Sequence, residues 1–296
     1  MGAERPELVK RMELHREQVL ALAKESPACV AKHDKSSWLA LFGKSGVIED
    51  PVGAAPHVRG TGEAGEADPL ERFYETFIAS NKIEMESQLD VVAEGEVARD
   101  VVIHTVLKNG AQLHVAAYLL YKIAPEAGAL RIQRLAAHWD LPRMSLQVMT
   151  GGLRGFIAMN QVTYRMLRCQ GVGGVINYMR GMFQGIFDRG QVAVRKLTDA
   201  LNHRDPQGVG ELFVEHDPIV EWPVGGKPMG PSELLAQLPK GARFAIERPL
   251  SAGWVTACRF AVTGGESPGS RGIVFFHFDP VSEHIARARF FVDDAA

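Results

Sequence analysis

A chain of 296 residues is long enough for two domains of about 100–150 residues, each with its own core. With 46% apolar and 23% charged residues it has ordinary globular composition, and a formal net charge of −2 excludes the basic footprint of a nucleic-acid partner. Three widely spaced cysteines, Cys29, Cys169 and Cys258, exclude a disulfide framework and suit a reducing compartment.

The opening MGAERPELVKRMELHREQ is charged throughout and lacks the apolar stretch of a secretory signal. No run of 18 apolar residues occurs, so a cytoplasmic protein without a spanning helix is expected. Leu8, Met12, Val19 and Leu22 recur near helical spacing and predict a first helix over Pro6–Lys24. A second helix starts at Asp34, with Trp38, Leu41 and Phe42 on one face and Asp34 or Ser36 as N-cap. Val47–Gly53, reading VIEDPVG, is a short strand stopped by Pro51, and Gly53–Pro69 is a Gly/Pro-rich loop. Leu70–Ser80 predicts a third helix with Leu70, Phe73, Tyr74 and Phe77 as its apolar stripe. Four strands follow, Glu84–Ala93, Val97–Leu107, Ala111–Ile123 and Ala129–Trp139, with Asn109-Gly110 turning the middle pair. This order predicts an α+β fold in which a curved antiparallel sheet wraps its helices.

A shortened version returns over 191–292. ALNHRDPQGVGELF parallels AKHDKSSWLALF, and VEWPVG at Val220–Gly225 parallels VIEDPVG. Pro231–Leu238 stands for the third helix, and strands are expected at Ala242–Leu250, Gly253–Val262, Gly272–Phe278 and Ile285–Val292. The pattern reads as a tandem repeat with a degenerate second copy: domains at 6–144 and 191–296, joined by 145–190. Asp50 in the first copy is replaced by Trp222, which can transfer no proton. The connecting stretch Leu141–Phe187 holds Arg143, Arg154, Arg165, Arg168 and Arg180, many glycines, and no Asp or Glu. It predicts apolar helices. They either pack against the two domains or lie, through 146–187, in a membrane interface beside anionic lipid.

The E-D-P-x-G motif at Glu49–Gly53, the helix order and the closing His138-Trp139-Asp140 resemble the ketosteroid isomerase branch of the NTF2-like (SnoaL-like) superfamily. The resemblance covers Glu17–Asp140 well and Gln191–Asp293 more faintly. It implies two cone-shaped domains paired through their sheets as an internal pseudo-dimer, with further homo-oligomerisation open. It also implies that Asp50 is a catalytic base. That base would isomerise a β,γ-enone of a small, hydrophobic, steroid-like ligand without cofactor or metal, a role in steroid or lipid metabolism. Abstraction of a proton from carbon leaves a dienolate, whose oxygen needs hydrogen-bond donors in a dry site.

The donors depart from the family's pattern. The position of its oxyanion tyrosine falls at Ser26, and that of its oxyanion aspartic acid at Leu119. Strand alternation groups Asp100, Val102, His104 and Val106 on one face, and alignment on the Asn109-Gly110 turn makes this the pocket side, beside Trp139. Tyr74 matches a pocket tyrosine of the family. Tyr74, Asp100 and His104 are therefore the candidate oxyanion or pocket polar groups, and Trp139, Val102 and Leu119 the substrate contacts. Each polar candidate has a structural reading too: Asp100 as an ion pair at a strand edge, His104 as a half-buried histidine, Tyr74 as a core aromatic. His114 and Tyr118 are expected on the opposite face, His138 out of phase with Trp139, and His277 and His284 at edges or surface. No metal-spaced cluster, phosphate loop or nucleophile elbow occurs in the sequence. Two other functions stay open: a non-catalytic binding protein for a hydrophobic ligand or protein partner, and a cyclase or dehydratase acting on a polyketide-like enone.

Overall fold

The computed structural model describes residues 4–61, 67–150, 152–265 and 269–293. Helix α1 (Glu4–Ala31) runs past the expected end at Lys24 and through Pro27. The reason is packing. Val19, Ala23, Ser26 and Cys29 are all buried at helical spacing, so one stripe stays against the sheet. Helix α2 (Lys35–Ala40) starts where expected, with the Asp34 carboxylate accepting the Ser37 N–H at 3.0 Å, and it delivers Trp38 to the core. Strands β1 (Phe42–Glu49) and β2 (His57–Val58) follow, then helix α3 (Pro69–Phe73), which continues as a π-turn over Tyr74–Ile78. A meander completes the sheet: β3 (Lys82–Ala93), β4 (Glu96–Val106), β5 (Gln112–Glu126) and β6 (Ala129–His138). The strand order is β2-β1-β6-β5-β4-β3, with β1 parallel to β6 and the other pairs antiparallel.

Helices α4 (Leu141–Thr150) and α5 (Gly152–Phe183) form a hairpin, and α5 kinks at Gly171, whose φ of 70° suits glycine. Beyond it come α6 (Phe187–Asn202), α7 (Pro206–Gly210), β7 (Ile219–Glu221) and α8 (Pro231–Leu234). Strands β8 (Arg243–Ala252), β9 (Val255–Thr263), β10 (Ser270–Phe278) and β11 (Ile285–Val292) close a second curved sheet. Its order is β7-β11-β10-β9-β8, with β7 parallel to β11, which is the order of the first sheet without β2. The fold is α+β, with two curved sheets each wrapped on its own helices. Both motif prolines, Pro51 and Pro223, follow cis peptide bonds. No helix among the described residues is long and apolar enough to cross a membrane.

The two sheets pack face to face. Val91, Ala98, Tyr118, Leu120 and Ala136 of the first meet Leu250, Ala257, Ile273, Phe275 and Phe291 of the second. Near the Asp50 motif the two halves of the chain touch backbone to backbone: a Cβ on Gly53 would meet the Gly253 Cα at 2.7 Å. Only glycine permits that approach.

The register across the Asn109-Gly110 turn corrects the face assignment made from sequence. Residues directly opposite share a face, and here Arg99 faces Leu119, Asp100 faces Tyr118 and His104 faces His114. Leu119 and Asp100 therefore point to opposite sides of the sheet. The odd-numbered residues of β4 line the inside of the cone, where Arg99 makes an ion pair with Asp90 at 2.7 Å. Asp100 faces the second sheet, fully buried, with Arg248 at 3.2 Å and Arg259 at 3.4 Å. Asp100 is thus an ion-paired residue, as its structural reading has it, but its partners come from the second sheet rather than from its own strand.

Candidate active site in the first cone

Strand parity aims Asp50. Ile48 is fully buried in the first core, so Asp50 two residues on points to the same side, while Glu49 points out to Arg134 at 2.7 and 2.9 Å. Because β1 runs parallel to β6, Trp139 just beyond β6 lies beside Asp50, and its indole N–H donates to Asp50 Oδ1 at 2.6 Å. Burial pushes the Asp50 carboxyl up to about 6, against the opposing pull of the Trp139 hydrogen bond. A carboxylate titrating there is matched to taking and returning a proton near neutrality.

Asp50 stands at the junction of two cavities. One, of about 280 Å³, is apolar, walled by Phe73, Phe77, Ile83, Ile103, Leu113 and Val115 of the cone and by Met144, Val148, Val162, Met166, Val175 and Met182 of the hairpin. Its polar lining is sparse: Asn81, Thr105, Ser145 and Thr163 besides Asp50, Trp139 and Tyr178. The other cavity, of about 300 Å³, shares Asp50, Phe77 and Tyr178 but is lined by His57, Arg72, Gln170 and Asn177. Burial, then the nearby Arg72 charge, push His57 down to about 4, so its imidazole is neutral at neutral pH. The stretch read from sequence as a linker is thus the lid of the apolar chamber.

The lid brings a phenol that sequence reasoning misses. Tyr178 on α5 stacks on Phe77 with ring centroids 5.8 Å apart and lines both cavities with Asp50. Burial first, and the Asp50 charge second, push its pKa well above the usual tyrosine range, which keeps it protonated as a donor. The available signal is spacing: Val175, Tyr178 and Met182 recur as one inward face of a helix. A further tyrosine, Tyr121, lies deeper in the cone, its hydroxyl bonded by Ser26 and Arg99; burial raises its pKa.

Other candidates fall elsewhere. Tyr74 packs in the core against Trp38 at 5.4 Å, its hydroxyl buried without a partner and away from the Asp50 cavity. Asp100 belongs to the layer between the sheets, where burial raises its carboxyl against the opposing pull of Arg248 and Arg259. Val102 and His104 sit on the outer side of β4. There the His104 and His114 Nδ1 atoms approach to 2.7 Å, and His104 Nε2 lies 3.3 Å from a Glu86 oxygen. His114 and Tyr118, expected opposite to them, share their face. Leu119 is buried inside the cone but is not part of the cavity wall. His277, expected near a loop edge, is half-buried at the sheet–sheet layer, and burial lowers it to about 4. His138 is there too, its ring 5.0 Å from that of Phe275.

In the second cone the position of Asp50 is filled. The Trp222 ring lies 4.2 Å from Phe290, 5.3 Å from Phe260 and 6.2 Å from Phe244, centroid to centroid. Among the described residues no group of His, Cys, Asp and Glu is placed to hold a metal ion.

No family model matches the chain, and no curated protein does either. Solved structures do. A Mycobacterium tuberculosis protein in complex with estradiol-17beta-hemisuccinate is 26% identical, with a TM-score of 0.37, over 43% of this chain and 96% of that one. The Δ5-3-ketosteroid isomerase of a Mycobacterium species is 28% identical, with a TM-score of 0.35, over 42% of this chain and 94% of that one. SalBIII, an epoxide hydrolase/cyclase-like enzyme in pyran ring formation in the polyether salinomycin, is 16% identical, with a TM-score of 0.36, over 42% and 92%. The solved structures to which this chain is similar are ketosteroid isomerase-like and SnoaL-like proteins of the NTF2-like fold.

Proposed function

We propose that the first cone is the active site of a cofactor-independent isomerase, in which Asp50 moves a proton within a hydrophobic, steroid-like enone. The observation that carries this reading is a carboxylate titrating near 6 in an apolar chamber, with one oxygen held by Trp139 and a protonated phenol, Tyr178, lining the same chamber from the lid. Asp50 Oδ2 takes a proton from the carbon between the ketone and the isolated double bond. The electron pair moves into a dienolate, whose oxygen accepts a hydrogen bond from Tyr178. Protonated Asp50 then returns the proton two carbons along, and the double bond ends conjugated to the ketone. Atoms balance within the substrate, and the lid keeps water from the dienolate.

The test is ultraviolet detection of conjugated enone from a Δ5-3-ketosteroid. Asp50→Asn is expected to lower kcat about 10²–10⁴-fold, and Tyr178→Phe about 10²–10³-fold with little change in KM. Because the base must be ionised, kcat/KM rises with pH and levels off above about 6. No turnover, or equal turnover in Asp50→Asn, overturns the assignment. Ligand binding without turnover would leave a carrier of hydrophobic molecules.

The outer face of the hairpin supports a partner as well. Leu146, Tyr164, Val172, Ile176 and Phe183 are exposed there, Phe183 by 74%, in a stretch with five arginines and no acid. We infer that this face rests on an anionic membrane surface, from which an insoluble ligand reaches the chamber. Flotation with vesicles of phosphatidylcholine and phosphatidylserine tests it. The wild type is expected to float, and Val172→Glu with Phe183→Glu to stay behind at 0.1 M salt; equal flotation of both overturns it.

A further inference from the structure

The wall of the apolar chamber at the start of β3 carries a polar atom with nothing to bind. Asn81 is 5% exposed, and its Nδ2 donates to the Phe77 carbonyl at 2.9 Å, which fixes the orientation of the amide. That leaves Oδ1 buried without a hydrogen-bond partner, on a residue of the cavity wall. A buried acceptor in an apolar wall is costly unless a donor comes to it. Thr105 and Ile83 flank it on neighbouring strands.

Asn81 and Asp50 enter the chamber from strands far apart in the sheet order. Asp50 follows β1 and Asn81 precedes β3, and these strands are separated by β6, β5 and β4 in the sheet order. Four strand spacings make an arc of roughly 19 Å, with a shorter chord because the sheet curls. Asp50 also opens to the polar cavity, whereas Asn81 lines only the apolar one.

We propose that Asn81 Oδ1 is a second recognition point, which accepts a hydrogen bond from a hydroxyl or N–H at the end of the ligand remote from Asp50. The ligand is then an apolar, fused-ring molecule with a ketone at one end and a hydrogen-bond donor at the other. A ketone in place of that donor would set two acceptors against each other. This rests on the reading of Asp50's chamber as a ketosteroid-type site, and it specifies which end groups the site selects.

Equilibrium binding tests it without turnover, using conjugated 3-ketosteroids that differ only at carbon 17 as hydroxyl or ketone, followed by quenching of Trp139 emission. The wild type is expected to bind the 17-hydroxyl compound about tenfold more tightly. Asn81→Leu is expected to abolish that preference. Equal binding of the two steroids by the wild type overturns the role of Asn81 while leaving a ketosteroid site. If neither steroid binds, the ketosteroid reading fails, and 2-naphthol against 2-methoxynaphthalene decides for Asn81. A preference for the naphthol that disappears in Asn81→Leu upholds the acceptor. A preference that survives the substitution belongs to Asp50 and overturns it, as does no preference at all. Should Asn81→Leu fail to fold by circular dichroism, Asn81→Ala takes its place in the same comparison.

Discussion

The two cones share a strand order but not an interior. In the first, β1 is followed by Asp50 beside a chamber of about 280 Å³ roofed by the α4–α5 hairpin. In the second, β7 is followed by Trp222, and Phe244, Phe260 and Phe290 pack around its ring. One scaffold can thus stabilise itself by filling its centre or keep the centre open for chemistry at some cost in cohesion. The difference lies in the inward side chains and in the elements around them, since the first sheet carries β2 and its chamber is roofed by the α4–α5 hairpin, while the two sheets otherwise share one strand order.

The largest effect should come from emptying the filled cone. Phe290→Ala removes a fully buried ring packed against Trp222, Phe244 and Phe260 and is expected to cost about 3–5 kcal/mol. Phe77→Ala, on the wall of an existing cavity, should cost clearly less, because part of that ring faces open space already. Urea denaturation of both variants measures this. Equal losses would mean that the first chamber is not open in solution, and the contrast between the cones would fall.

A smaller effect is tied to pH. The folded pKa of Asp50 is raised to about 6 from 3.8, so the native state holds the proton more firmly than the unfolded chain. Its stabilising contribution is therefore full below pH 3.8 and is lost as pH rises through 6. Above that the ionised carboxyl costs up to about 3 kcal/mol, less whatever solvent in the cavity screens. Asp50→Asn should accordingly melt higher than wild type at pH 8 and no higher at pH 4. A gain that does not depend on pH would sink the assignment. No such gain is available to the second cone, whose Trp222 does not titrate.

Local chemistry makes much of this legible in the sequence. The Asp34 cap, the Asn109-Gly110 turn and the strand ending at Pro51 depend on a few adjacent residues, so they can be read directly. The faces of β4 cannot. Alternation and the turn alignment put Leu119 and Asp100 in one pocket, but register across the turn pairs Leu119 with Arg99 and sends Asp100 to the other sheet. A one-residue error in register exchanges every inside residue for an outside one. Tyr178 is hidden for a different reason. Its helix has an inward face, but only the tertiary fold says which cavity that face covers.

The smallest effect is the sharpest test of that register. His104 and Ile103 are neighbours in sequence, yet Ile103 lines the chamber while His104 meets His114 and Glu86 on the outer side of the sheet. His104→Ala should therefore change stability by no more than about 0.5 kcal/mol, as partly exposed polar contacts do. It should also leave ligand affinity unchanged, whereas Ile103→Asp, which sets a charge in the apolar wall, should weaken it strongly. Titration of a fluorescent steroid against both variants settles the point. Loss of affinity in His104→Ala would turn the β4 faces around and return Asp100 to the chamber beside Asp50.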